Sequence, residues 1–338
     1  MKTLLDPAIL FFIFGVIAGA LKSNLEIPQP ISRFLSLYLL MALGLKGGFA
    51  LAHSGFTGQV ATSLGCAVLL AVAVPMLGYG LLRRFLSDFD ATAVAATYGS
   101  VSAVTFVTAV QTLENQHVVF GGYMSAAMAL MESPAIILAV LFANALRQKQ
   151  AASMAPISSG GAAVLTIGSP PPAAGIPIGK ILHDSFTDGA QLLLLGAMVI
   201  GILSGDAGKV AMQPFSGDLF KGMLAFFLLD MGLLTARSLS QLQGRSPWLI
   251  AYAIVAPLVH ATLALLLAWL LALPAGDATL LMVLAASASY IAVPAVLRYA
   301  IPEASPSLYF GLSLGITFPL NLLFGIPLYS FVAQRVLG

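Results

Sequence analysis

The polar residues of this chain fall into narrow bands that separate long apolar runs. About ten runs approach the roughly 20 residues that a helix needs to cross the hydrocarbon of a bilayer. They cover approximately 4–22, 30–52, 58–82, 90–113, 119–146, 180–205, 217–240, 246–273, 277–300 and 306–336. An outer-membrane barrel would instead alternate every second residue over segments of about ten. Between the fifth and sixth runs lies 148–178, rich in Ala, Ser, Gly and Pro, a composition suited to a flexible linker. The chain therefore divides into a five-span repeat (1–147), the linker, and a second five-span repeat (179–338). An odd number of spans per half forces the halves into opposite orientation, so the repeat is expected to be inverted.

Two runs should fail as continuous helices near their middles, and they resemble each other. A shift of 187 positions lays Asp90-Ala-Thr92 on Asp277-Ala-Thr279 and Ser100-Val-Ser102 on Ser287-Ala-Ser289. Pro294 cannot donate a backbone N–H to residue 290, which favours a break in the later copy. Weaker echoes run in the same order. Gly44 matches Gly232, Glu132-Ser133-Pro134 lies against Thr317-Phe318-Pro319, and Pro75 is loosely echoed by Pro257. Matched interruptions in two halves of a chain are the best sequence pointer to a transporter binding site.

Composition sharpens the class. Of 338 residues 59% are hydrophobic and 8% charged, against roughly 25% charged in soluble proteins. An integral membrane protein surrounded by lipid is expected. A net charge of +2 is too small to imply a nucleic-acid partner. Cys66 lies in an apolar run as a small core residue, and the first run is read as a span rather than a cleaved signal. Ten Lys and Arg residues flank the loops after spans 1, 3, 5, 7 and 9 (Lys22, Arg33, Arg83, Arg84, Arg147, Lys149, Lys180, Arg237, Arg245, Arg298). Four (Lys2, Lys209, Lys221, Arg335) lie on the other side. That bias puts the linker in the cytoplasm and both termini outside.

Three ionisable residues sit within spans: Lys46, Glu132 and Asp230. Such residues usually face a bundle interior or a water-filled cavity. Lys46 either snorkels to an interface or pairs with Asp230. Glu132, beside carbonyls that Pro134 frees, suits a sodium ion or a structural hydrogen bond. His260 reads as a packing residue. At a mid-membrane break, the next half-helix presents bare N–H groups and about half a positive charge. The preceding half offers carbonyls. Two crossed copies can hold an anion and a small cation side by side. Ser100, Ser102, Thr105, Ser287 and Ser289 supply hydroxyls there, although small hydroxylated residues also serve close helix packing. No hydrolase, phosphate-cradling or transition-metal motif is present, so neither an enzyme nor a cofactor is expected.

The stretches 289–321 (SYIAVPAVLRYAIPEASPSLYFGLSLGITFPLN), 98–114 (YGSVSAVTFVTAVQTLE), 131–136 (MESPAI) and 43–48 (LGLKGG) resemble the SbtA-type sodium-dependent bicarbonate transporters over nearly the whole chain. The resemblance implies an all-α protein of ten spans in two inverted repeats. Spans 1, 2, 6 and 7 would form a gate, with Lys46 and Asp230 as contacts of it. Spans 3–5 and 8–10 would form an elevator core in which broken spans 4 and 9 cross. It implies a homotrimer in the bacterial inner membrane, sodium-driven uptake of bicarbonate, and in some members a PII-like cytoplasmic regulator. Position by position, the resemblance points to Gly99, Ser102, Thr105, Ser287 and Ser289. Together with the residue reading above, the substrate site expected is Gly99, Ser100, Ser102, Ala103, Ser287, Ser289 and Tyr290, and the sodium site Ser102, Thr105, Glu132, Ser287 and Ser289. Tyr290, Ala292 and Val293 stand where the family pattern has Asp, Ser and Gly. The first alternative is therefore a carrier of an organic acid coupled to sodium or protons. A non-transporting membrane sensor or scaffold is a remote one.

Overall fold

The computed structural model describes residues 5–55, 57–154, 189–240, 242 and 246–338, and every regular element among them is helical. In order these are α1 (Pro7–Ala20), α2 (Gln29–Ser54), α3 (Gly58–Leu82), α4 (Asp88–Gly99), α5 (Ala103–Asn115), α6 (Met124–Met154), α7 (Gly189–Gln213), α8 (Phe220–Ser240), α9 (Pro247–Leu270), α10 (Ala275–Ala286), α11 (Ala292–Ala300) and α12 (Pro306–Leu337). Seven helical stretches among the described residues are long and apolar enough to cross a membrane, while α1 and α10 are apolar but shorter. Large apolar side chains such as Phe14, Ile200, Leu203 and Leu270 lie exposed on the outside of the bundle. In a soluble protein that surface would be a liability, whereas here lipid is its solvent.

Local rules set several helix starts. Asp6 caps α1 by accepting from Ala8 N at 2.9 Å, ahead of Pro7, whose missing N–H costs nothing in a first turn. Ser87 caps α4 by accepting from Asp90 N at 3.1 Å.

Four boundaries differ from expectation. The helix of the fifth span starts at Met124 rather than 119 and runs on to Met154, through 148–154 of the expected linker. Ala, Gln, Lys and Met are good helix formers, so nothing there stops it. The rest of the linker, residue 180 as the start of span 6, and Lys2, Lys180 and Arg245 lie outside the described residues. Between spans 6 and 7 the expected loop is helical. α7 turns at Gly205 (φ 53°) and passes through a π-helical turn, Pro214–Asp218, just ahead of α8. Pro294 lies in the first turn of α11 instead of interrupting a helix, where the absent donor is one of the four left unbonded anyway.

Packing matches between the halves. The most extensive helix pairs are α2 with α7 and α1 with α8. A Cβ at Gly44 would stand 2.4 Å from Leu194 O of α7, and one at Gly232 would stand 2.2 Å from Phe12 O of α1. The two glycines aligned by sequence thus make the same close approach in the two halves. α3 packs on α4 and α6 as α9 packs on α10 and α12. The aligned aspartates also act alike. Asp277 accepts from Gly121 N at 2.6 Å, tying α10 to the loop before α6. Asp90 accepts from Ser305 N at 2.7 Å, tying α4 to the loop before α12. Each half is therefore stapled to the other. Cys66 is buried, and so is His260.

Candidate functional site

Both expected breaks are present, and they meet. α4 ends at Gly99 and α5 begins at Ala103, with Ser100 and Ser102 extended between them. α10 ends at Ala286 and α11 begins at Ala292. Ser102 N donates to Ser287 Oγ at 3.0 Å, and Ser289 N donates to Thr97 O at 2.8 Å. Backbone groups released by one break are thus satisfied by the other, as they must be where water is scarce. Asn321 of α12 completes the closure by donating to Ala286 O at 2.7 Å, and Tyr329 donates to Asn321 Oδ1 at 2.9 Å.

The hydroxyls expected as ligands are mostly capping groups. Ser102 Oγ accepts from Thr105 N at 3.2 Å and from Thr105 Oγ1 at 2.9 Å, which starts α5. Ser289 Oγ accepts from Val293 N at 3.3 Å at the start of α11. Ser287 Oγ donates to Leu284 O at 2.9 Å. Ser102 and Ser289 are used as acceptors, so their own protons remain for an anion. Ser102 joins two further hydroxyls: its Oγ lies 2.9 Å from Thr105 Oγ1 and its backbone N 3.0 Å from Ser287 Oγ.

In front of the junction lies a cavity of about 200 Å³. Its wall includes Ser102, Ala103, Glu132, Ser289, Tyr290 and Ala292, so the first residues of both α5 and α11 face it. Two helix N-termini aimed at one small space favour an anion without a charged side chain. Tyr290 is 6% exposed, its ring packs edge-to-face on Phe318 at 5.3 Å, and its buried hydroxyl lies toward Ser102 with no close hydrogen bond among the described residues.

The remaining candidates sit elsewhere. Gly99 is pressed against α3, where a Cβ would lie 2.6 Å from the Pro75 ring, so its lack of a side chain serves helix approach. Ser100 is buried with an unbonded hydroxyl and is not part of the cavity wall. Glu132 accepts from Gln191 Nε2 of α7 at 2.6 Å and turns its carboxylate toward that helix at the cavity edge. Lys46 and Asp230 do not pair with each other. Lys46 bridges to Glu114 of α5 at 3.0 Å and lies 4.3 Å over the Phe220 ring, whereas Asp230 accepts from Ser32 Oγ of α2. An i-to-j separation in sequence gives no hint of either partner.

Two larger openings flank the site. One, about 1010 Å³, includes Arg33, Asp230, Arg237 and Arg298 and shares Ser36, Tyr290 and Ile291 with the cavity. The other, about 740 Å³, holds Lys46, Glu114, Lys209 and Lys221 and shares no wall residue with it. The cavity therefore adjoins the arginine-side opening. Sequence reasoning missed Thr97, Glu114, Gln191 and Asn321. Only Asn321, a lone amide in an apolar run, carried any signal.

A family model described as the Na+-dependent bicarbonate transporter superfamily matches residues 7–334. The chain belongs to this superfamily. It is accordingly a membrane transporter of a family that uses sodium and bicarbonate. A search of curated proteins finds no match.

Proposed function

We propose that this transporter takes up bicarbonate together with sodium by an elevator movement. The observation that carries the proposal is the junction at which the N-termini of α5 and α11 converge on one cavity. In this reading there are ten spans: α4 with α5 makes one and α10 with α11 another, while α7 and α8 are two joined at a π-turn. The halves are inverted repeats with both termini outside. α1, α2, α7 and α8 form the gate, and α3–α6 with α9–α12 form the moving unit.

The anion sits before the two N-termini and takes hydrogen bonds from the Ser102 and Ser289 hydroxyls. Sodium sits behind them, on the hydroxyl oxygens of Thr105 and Ser287. Each offsets the other's charge, so each tightens the other's binding by the same factor. Because the positive-inside pattern places Arg33, Arg237 and Arg298 in the cytoplasm, the cavity as it stands faces inward. One sodium moving with one bicarbonate carries no net charge, so the sodium concentration gradient supplies the work. The test is labelled bicarbonate uptake into proteoliposomes, which should require an inward sodium gradient. Saturable uptake of an organic acid with no bicarbonate signal would overturn the substrate.

That second reading has its own support. Tyr290 brings a buried, unbonded hydroxyl to a cavity of about 200 Å³. One water needs only about 10–15 Å³ of such space, so a carboxylate larger than bicarbonate fits.

A further inference from the structure

The outer face of the bundle carries a site unrelated to the transported solute. Between α3 and α9 runs an apolar trough of about 390 Å³, whose wall includes Leu77, Leu81, Tyr252, Val255 and Val259. Leu77, Val255 and Val259 are each at least half exposed, so the trough opens to the surrounding lipid rather than to the interior. One end is closed by Phe85 and Trp248, which stack at 6.0 Å between ring centres. An exposed aromatic pair at a helix end marks the headgroup level of a bilayer. Beside it, α3 terminates in Arg83 and Arg84, both exposed. Neither makes an ion pair among the described residues. One helical turn further in, Tyr252 forms part of the trough wall, its hydroxyl enclosed against Gly78 of α3. Four residues at 1.5 Å each put it about 6 Å below Trp248, the depth of a glycerol ester rather than of chain ends.

Cationic heads, an aromatic collar and an apolar trough thus follow one another from the helix end into the membrane. That order matches the order of groups in a phospholipid. We propose that this trough is a seat for one anionic phospholipid. Arg83 and Arg84 hold its phosphate, Tyr252 backs its ester region, and one acyl chain lies along Leu77, Leu81, Val255 and Val259. A zwitterionic lipid would fill the trough equally well but would gain less from two cations, each worth about a fivefold change in affinity near a charged headgroup. α3 and α9 are the helices packed on α4 and α10, so the seat lies on the back of the two broken helices.

Native mass spectrometry of the whole protein, released from detergent with phosphatidylglycerol or phosphatidylcholine added, tests this. The expected result is one retained phosphatidylglycerol per chain and weaker retention of phosphatidylcholine. R83Q combined with R84Q should lower phosphatidylglycerol retention about thirtyfold, and R335Q, on the exposed end of α12, should not. V255W, which fills the trough, should release the lipid with both arginines still present. Equal retention of the two lipids, or an undiminished phosphatidylglycerol adduct in either trough variant, would overturn the proposal. Since Arg83 and Arg84 are exposed, the double variant folds and its result is decisive even if V255W does not.

Discussion

Replacing Glu114 by Gln should move the protein toward its outward-facing form. Lys46 lies on α2, in the proposed gate, and Glu114 on α5, in the proposed moving unit, with 3.0 Å between their charged atoms. The pair belongs to the opening that has no connection with the site cavity, so it holds closed the side from which solute would enter. The side chains are 23% and 33% exposed, and partly solvated pairs of this kind are worth about 0.2–1 kcal/mol. The Lys46 contact with Phe220 survives the change, because both belong to the proposed gate. At the upper end, loss of the pair multiplies the outward population about fivefold.

The assay is modification of V101C, a cavity-wall position, by a membrane-impermeant thiol reagent added on the Lys46 side. Cys66 is buried and should not report. The rate should rise about fivefold in E114Q, and adding K46Q to E114Q should change it little, since the two act as one unit. An unchanged rate, or a K46Q effect that is as large with Gln at 114 as with Glu, would refute the reasoning.

G99A should cost about 1–3 kcal/mol by overpacking, because its Cβ meets the Pro75 ring at 2.6 Å; thermal unfolding in detergent measures it, and an unchanged midpoint would mean that α3 and α4 separate freely. D277N should lower stability by about 2–3 kcal/mol, since the carboxylate binds Gly121 N, Tyr123 and Gln59 together, and the same unfolding assay reads it. Y290F removes a hydroxyl that has no described protein partner, so stability should hold. The half-saturation concentration for the anion should rise at least tenfold if that hydroxyl bonds the solute, as a hydrogen bond to a charge is worth about 1.5–3 kcal/mol. An unchanged value would make Tyr290 a packing residue.

What the sequence showed was what repeats. Ser100–Ser102 and Ser287–Ser289 marked both breaks, because an unpaired backbone in lipid is tolerated only at special places and the duplication displayed that place twice. Asp90 and Asp277 stood out by the same alignment, and their matching staples were hidden only because their acceptor roles reach into the opposite half. Gly44 and Gly232 were likewise visible as a pair before their close approaches were known. What stayed hidden depends on residues far apart in the chain. Asp230 is the one carboxylate that sequence reasoning offers Lys46, whereas its partner Glu114 lies at the end of another helix. Glu132, beside Pro134, reads from the sequence as an ion ligand or a structural hydrogen-bond acceptor, and its bond from Gln191 of α7 comes from a helix that its neighbours do not reveal. Ser102 and Ser289, expected as ligands, accept from backbone N–H groups at the helix starts, since a broken helix needs its ends satisfied. Pro294 was assigned to the break and instead opens the helix after it, because periodicity locates an interruption only to within a turn.

The central claim is that the junction of the two broken helices holds a sodium ion and an anion in one coupled site. Binding of radioactive sodium to the purified protein, measured with and without bicarbonate, tests it most directly. Sodium affinity should rise when bicarbonate is present, and S287A should abolish that rise while the protein remains folded. Sodium binding indifferent to bicarbonate, or a rise of the same size in S287A, would contradict the account.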